Sequence, residues 1–236
     1  MEKKLKESSV DQIVNGIKML MINQKLKVGD KLPTEFELSE MFGKSRSSVR
    51  EAIKILTSYG VLEVRRGDGT YVSSGICGGV FDALFFQIIS MKIDITELIQ
   101  LRELLETGIM KVIVENREED CYRKMKSIQE ELIRAIQDKN SIDQLVELDL
   151  KFHKCMAEFA GNTILEQIYN FMLDIFTPYI RYSYVIQNNN EDYTVANHHD
   201  LIIEALHEMD LDLAQYAIKK SMKDWLRLNC MYQKDK

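Results

Sequence analysis

Turn residues, paired cysteines and long apolar runs are all scarce in this chain of 236 residues. Two prolines and eleven glycines leave too little punctuation for an all-β fold of many short strands. The same scarcity excludes collagen-like and low-complexity classes. The four cysteines, Cys77, Cys121, Cys155 and Cys230, stand far apart without a CxxC pair, which suits incidental reduced thiols better than a disulfide framework. Charge-free stretches such as Ala83–Met91 fall well short of the ~20 apolar residues that a membrane span needs. Residues 1–7 carry charge with no apolar core behind it, so they do not form a signal peptide. What remains is 45% hydrophobic and 29% charged, the balance of a folded, mainly α-helical, cytoplasmic protein with no membrane partner. The length allows one large domain or two modest ones.

Charge is spread unevenly. The net charge is −6, yet residues 1–75 hold 13 Lys and Arg against 10 Asp and Glu, a balance of +3, and the remainder carries −9. A basic amino-terminal third on an acidic body points to a polyanionic partner for the first part. Glycine marks the same boundary, because only Gly108 and Gly161 follow Gly79. Turns and β-structure therefore belong before that point and long helices after it. The small, flexible stretch Ser73–Gly79 is the expected linker between a first domain, 1–72, and a second, 80–236.

In the first domain, Ile13, Val14, Ile17, Leu20 and Met21 have the spacing of a helix with one buried face. After a turn at Val28–Pro33, Thr34 and Glu37 fit a capping box. A short helix should run from there to about Met41, burying Leu38 and Met41. Phe42-Gly43-Lys44 reads as a tight turn and Ser45 as the cap of a further helix, which buries Val49, Ile53 and Leu56. Helix, short Gly-containing turn and helix make a helix-turn-helix, whose second helix enters the DNA major groove by its first turn. That turn carries Ser45, Arg46, Ser47 and Arg50. Arg46 and Arg50 share a face, so both guanidinium forks are expected to point into one groove, onto guanine edges or phosphates. Two β-prone runs around Gly67-Asp68-Gly69 then predict a hairpin wing with Arg65 and Arg66 at its tip.

The string Gly29-Asp30-Lys31-Leu32-Pro33-Thr34-Glu35, then Leu38-Ser39-Glu40, Ser45-Arg46-Ser47-Ser48-Val49-Arg50-Glu51-Ala52 and Arg66-Gly67-Asp68-Gly69-Thr70-Tyr71-Val72 closely resembles the winged helix of GntR-family transcription regulators. The match runs almost without gaps over residues 10–72. It implies that Ser45, Arg46, Arg50, Arg66 and Gly67 lie at double-stranded DNA, and Thr34, Lys44, Ser47 and Arg65 are expected beside them. One departure stands out: many members have an arginine where this chain has Phe36, so one DNA contact is expected to be missing.

From Gly79 onward, apolar residues at 3–4 spacing predict seven helices, near 79–91, 95–115, 118–138, 141–160, 162–186, 194–208 and 211–232. In the second of these, Leu98, Leu101, Leu105, Ile109 and Val112 show that spacing. Asp149 and His153 stand four apart on one helix face, and His199 comes from a later helix. Such groups can meet inside a bundle as a Zn²⁺, Ni²⁺ or Mn²⁺ site, or be ordinary core residues.

These seven helices, with Leu101-Arg102, Glu106, Asp149-Leu150-Lys151-Phe152-His153, Gly161-Asn162 and His199-Asp200-Leu201-Ile202 as landmarks, resemble the FCD ligand-sensing domain of the FadR subfamily. Many such domains bind a metal through one Asp and three His. The resemblance implies Asp149, His153 and His199 as ligands, with Ser221 at the fourth position, where serine is a poor substitute. Two states stay open. Either three protein ligands hold a divalent transition metal, completed by water or an effector carboxylate, or the metal has been lost in favour of an organic pocket. Arg102, Glu106, Asn162 and Ser221 are the expected effector positions, with Arg102 and Glu106 equally readable as a structural pair. His198 is expected to be exposed, and His207 to lie on a solvated helix end. Tyr179, Arg181, Tyr182 and Tyr184 are read as core filling.

The resemblance thus implies a homodimeric, metabolite-responsive DNA-binding regulator, a repressor, on a short inverted-repeat operator, with a carboxylate as effector. The competing class is a metal-dependent hydrolase or lyase with an accessory DNA-binding domain. No GxSxG, P-loop or HExxH signature supports it.

Overall fold

Hydroxyl caps set the helix starts of the amino-terminal unit. In a computed structural model that describes residues 7–74, 79–91, 94–116, 119–190 and 194–232, Ser8 opens α1 (Ser9–Ile22), Thr34 opens α2 (Glu35–Phe42) and Ser45 opens α3 (Arg46–Ser58). Each side chain accepts the amide three residues on, which satisfies a donor that the first turn leaves free. At Thr34 the bond is returned, Glu37 accepting from the Thr34 backbone N–H at 2.7 Å, so the expected capping box is present. Gly43, at φ +61°, ends α2 in the left-handed conformation that a residue with a side chain adopts reluctantly.

The core of this unit joins Ile13 and Ile17 of α1 to Leu38 of α2 and Val49, Ile53 and Leu56 of α3. Strands β1 (Leu62–Arg65) and β2 (Gly69–Val72) pair antiparallel and close the core with Leu62 and Val72. The wing is anchored from outside as well. The Leu32 N–H donates to Thr70 O, Val72 N–H to Asp30 O and Gly29 N–H to Val72 O. Lys31 pairs with Asp68 across the hairpin at 3.1 Å.

Two local expectations need correction. Met41 is exposed, not buried, and the neighbouring Phe42 packs against the core in its place. Gly16 explains this choice: a Cβ there would lie 2.3 Å from the Phe42 ring, so the bare backbone of α1 makes room for the aromatic ring. The hairpin tip lies one residue earlier than Gly67-Asp68-Gly69. Arg65 pairs with Gly69, and Asp68 N–H donates to Arg65 O at 3.0 Å. Arg66 and Gly67 are therefore the central pair, with Gly67 supplying the positive φ of +80°.

Seven helices follow: α4 (Gly79–Ser90), α5 (Ile95–Asn116), α6 (Glu119–Gln137), α7 (Ile142–Phe159), α8 (Thr163–Asn190), α9 (Thr194–Glu208) and α10 (Leu211–Tyr232). The chain divides into compact units 1–90 and 91–236, and α4 falls at the end of the first range. The expected linker lies before α4, and residues 75–78 of it fall outside the described residues. In the second unit the packing runs α8 to α7 to α6 to α9 to α10 to α5 and back to α8, a closed ring of six helices. The buried residues of α5 are Ile95, Leu98, Ile99, Arg102, Glu106, Ile109, Met110 and Ile113, of which Leu98 and Ile109 belong to the apolar spacing read from the sequence. Leu101 and Leu104 face outward. Apolar residues lie on both sides of this helix, so spacing alone does not single out the buried one.

Gly16→Ala tests the fit of Phe42. Alanine alone would favour the helix by about 1 kcal/mol. The overlap with the ring is expected to outweigh that and leave a net loss of roughly 1–2 kcal/mol in urea unfolding. In a Phe42→Ala background the same change should stabilise, and loss in both backgrounds would refute the packing.

Candidate functional site

The exposed face of α3 begins at its cap. Ser45 Oγ accepts the Ser48 amide and exchanges hydrogen bonds with the Ser47 and Ser48 hydroxyls at 2.9 Å. Arg46 and Arg50 both lie on the solvent side, as expected. Neither guanidinium is idle, however. Arg50 donates through Nε and Nη2 to the Glu35 carboxylate at 2.9 and 2.6 Å, which holds the Glu35 carboxyl below its ordinary range. Arg46 lies 4.6 Å from the centre of the Phe36 ring. The residue that departs from the family pattern thus serves as an aromatic platform for a recognition-helix arginine. An exposed ion pair contributes about 0–1 kcal/mol, and a guanidinium has five N–H donors of which Glu35 takes two. Arg50 therefore keeps most of its donors for another anion.

The remaining residues of this face are unequally placed. Thr34 spends its hydroxyl on the capping box. Lys44 is half-buried in the turn between α2 and α3. Arg65 lies over the Tyr71 ring at 4.2 Å and reaches Glu63, whereas Arg66 and Gly67 are exposed at the wing tip.

The second centre is buried in the six-helix ring. Asp149 and His153 of α7 and His199 of α9 each offer a donor atom, all within 4.8 Å of one another. His153 Nε2 is 3.7 Å from Asp149 Oδ1, and His199 Nε2 is 3.7 Å from Asp149 Oδ2. Arg102 and Glu106 of α5 join them, with Arg102 Nε donating to Glu106 Oε1 at 2.7 Å and Arg102 Nη2 lying 2.8 Å from His153 Nε2.

Both imidazole tautomers follow from what their partners can do. A guanidinium only donates, so His153 Nε2 is the bare nitrogen and Nδ1 carries the hydrogen. Nδ1–H then donates to the Tyr169 oxygen at 3.1 Å, and the Tyr169 hydroxyl donates to Glu106 Oε1 at 2.8 Å. Arg102, His153, Tyr169 and Glu106 close a ring of hydrogen bonds. At His199, Gln129 is oriented by Asp200, which accepts from its Nε2 at 3.2 Å. Gln129 Oε1 therefore accepts from His199 Nδ1 at 3.0 Å, leaving Nε2 bare. Phe152 stacks on the His199 ring at 3.8 Å and fixes its plane. Both bare nitrogens face Asp149, the arrangement in which second-shell partners prepare histidines for a metal.

Electrostatics support the same reading. Burial, reinforced by the Arg102 charge, holds His153 well below its ordinary range, and burial does the same at His199. Both imidazoles are neutral and able to ligate. Burial pushes Asp149 up to about 6, against the opposing pull of Arg102 and the Tyr184 hydroxyl, which donates to Oδ2 at 2.9 Å. Asp149 Oδ1, His199 Nε2, Glu106 Oε2 and Arg102 Nη1 are buried without a hydrogen-bond partner. Buried polar atoms are rarely left so, and two of these belong to ligand donors that lie together, Asp149 and His199. The donor set fits a divalent cation.

Not every expected residue joins this centre. Asn162 is exposed and caps α8, its Oδ1 accepting the Ile164 and Leu165 amides. Ser221 is buried on α10, one turn before Trp225, which packs over the Arg102 guanidinium at 5.2 Å. His198 is a correction: it is 3% exposed and meets Asp224 at 2.7 Å. Adjacent residues on a helix point about 100° apart, so His199 faces the centre while His198 faces α10. His207 is exposed beside Glu208, as expected. Tyr184 and Arg181, both read as core filling, differ from that reading: Tyr184 donates to Asp149, and Arg181 is exposed and pairs with Asp143. Spacing gave no sign of Gln129, Tyr169 or Trp225, whose roles depend on which helices pack together.

A winged helix with a cationic recognition face, joined in one chain to a helical unit with a buried, ligand-ready centre, defines a ligand-responsive DNA-binding regulator. Residues 9–72 match the model of the bacterial regulatory proteins of the gntR family, and residues 97–224 match that of the FCD domain. The chain belongs to the GntR family of transcriptional regulators, in the group that carries an FCD domain. It is 32% identical over 152 residues to the HTH-type transcriptional regulator LutR of Bacillus subtilis (strain 168), covering 63% of this chain and 66% of that one. It is 25% identical over 218 residues to the HTH-type transcriptional repressor NanR of Enterobacter sp. (strain 638), covering 90% and 82%. Its fold is similar to that of Streptococcus agalactiae GntR, with a TM-score of 0.61 at 26% identity over 91% of this chain and 97% of that one. These relatives are regulators, and the enzyme reading falls. The two domains imply DNA and a small-molecule effector as partners. No helix among the described residues is long and apolar enough to cross a membrane.

Asp149 makes a pH-dependent prediction. Its folded-state pKa of about 6 lies above the ordinary 3.8. Between these values the folded chain binds more protons than the unfolded one, so this group's contribution to stability falls as pH rises through that window, by about 3 kcal/mol in full. In chelator-treated protein, Asp149→Asn should therefore gain roughly 1–3 kcal/mol on wild type between pH 4.5 and 7.5 in urea unfolding. A constant difference across that range would mean that Asp149 is not buried as a charge.

Proposed function

We propose that this regulator is a cytoplasmic, homodimeric repressor. In this reading two copies place the first turn of α3 in successive major grooves of a short inverted repeat. Ser45, Arg46, Ser47 and Arg50 face the bases or phosphates, and Arg65, Arg66 and Gly67 reach the backbone from the wing. Thr34 and Lys44 flank that surface. The outward-facing Leu101 and Leu104 of α5 support a second copy of this chain as partner.

The observation that carries the control of DNA binding is the set of unpartnered buried atoms around Asp149 and His199. Asp149, His153 and His199 would hold one Zn²⁺, Ni²⁺ or Mn²⁺, which supplies an open coordination position to an effector. Charge favours a carboxylate there. Asp149 and Glu106 carry two negative charges and Arg102 one positive, so a divalent cation leaves the centre at +1 and a monocarboxylate neutralises it. Arg102 Nη1 has buried N–H groups to offer such a ligand. Glu106 belongs to the same surroundings, and Ser221 lies buried on α10, the helix that carries Trp225. Asn162 caps α8 from the exposed side, which supports an effector role for it less than for Arg102. Effector and operator are coupled reciprocally, so each changes the other's affinity by the same factor.

Binding to a selected operator, followed by fluorescence anisotropy, tests this reading. Arg50→Ala is expected to weaken specific binding at least tenfold with unchanged melting temperature. The wild-type affinity should fall with salt at a log–log slope of about −0.9 per phosphate neutralised. Undiminished specific binding by Arg50→Ala would remove α3 from the interface.

A further inference from the structure

Resting on the reading of Asp149, His153 and His199 as ligand donors, we propose that Arg102 is a built-in rival of the metal. The guanidinium and a divalent cation are mutually exclusive occupants of the His153 Nε2 lone pair. This chain therefore binds metal only by releasing Arg102 from His153.

The geometry leaves little alternative. An imidazole nitrogen has one lone pair, and Arg102 Nη2 already occupies it at 2.8 Å. A metal ligated there would sit at about 2.0–2.1 Å along the same direction. Arg102 is no surface side chain that drifts aside. It is 1% exposed, ion-paired to Glu106, and packed against the faces of Phe176 and Trp225 at 5.3 and 5.2 Å. His199 has no such guard: its Nε2 is buried without a partner. The three donors are therefore unequal. His199 and Asp149 Oδ1 stand open, while His153 is held by an internal cation that also fixes the tautomer a metal needs. Ser221 at the expected fourth position adds no strong ligand to shift this competition toward the metal.

Trp225, the only tryptophan in the chain, lies over that guanidinium and reports its position. The test uses full-length protein stripped with chelator and titrated with Zn²⁺, read by calorimetry and Trp225 emission. The variant is Arg102→Met combined with Glu106→Gln, which removes the guanidinium without stranding a buried carboxylate. Loss of the Glu106 charge disfavours a cation, so a gain in affinity cannot come from it. We expect Zn²⁺ affinity at least tenfold above wild type, abolished by adding Asp149→Ala. Trp225 emission should follow Zn²⁺ in wild type and be indifferent to it in the variant. Zinc binding by the variant alone is the extreme form of the same result. Equal or weaker affinity in a folded variant overturns the competition while leaving the metal centre standing. Absence of Zn²⁺ binding in both proteins overturns the metal centre, and the competition with it. Should the double variant not fold, Arg102→Lys keeps a positive charge for Glu106 without the fork that also spans to His153. It too is expected to bind Zn²⁺ more tightly, and affinity no better than wild type overturns the proposal.

Discussion

A buried guanidinium donates hydrogen bonds and can never accept one, and the helical unit is organised around that restriction. Arg102 sits at the centre of six helices with a charge that burial makes costly. Glu106 compensates the charge, Phe176 and Trp225 enclose it, and His153 accepts from it. Because the direction of that one bond is fixed, so are the His153 tautomer, the Tyr169 hydroxyl and the orientation of both toward Glu106. Buried ion pairs are weak evidence for stability. Their value here is that a single donor-only group leaves the bundle one way to arrange its protons.

Arg50 and Arg102 are opposites in electrostatic terms. Arg50 pairs with Glu35 on an exposed face, where water screens the attraction and either partner is replaced at little cost. Arg102 pairs with Glu106 in the interior, where separation strands a charge. A surface on which one anion can replace another suits the first arrangement. A centre that must hold its form until a specific ligand arrives suits the second.

Legibility in the sequence followed the range of the interaction. Ser8 and Gly16 apart, the punctuation of the winged unit was readable because Thr34, Glu37, Gly43 and Ser45 act within a few residues of their own positions. The Asp149–His153 pair was readable for the same reason, as two residues one helical turn apart. Failures came where a second helix decides. The buried face of α5 was not legible because leucines lie on both its sides. His198 was assigned to solvent because only the packing of α10 reveals Asp224 as its partner. Gln129 orients His199 from another helix, so no local pattern marks it.

The closed ring of helices also sets a tempo. Every one of the six supplies a side chain to the centre or its enclosure, and Asp149, His153, His199 and Arg102 are all buried. These buried atoms are reached most readily when helices part, and such collective openings occur on microseconds to seconds rather than at the rate of diffusion. A ligand held at this centre would be released on the same clock. A regulator built this way averages over brief fluctuations in its environment and answers only to a change that outlasts the opening of its own bundle.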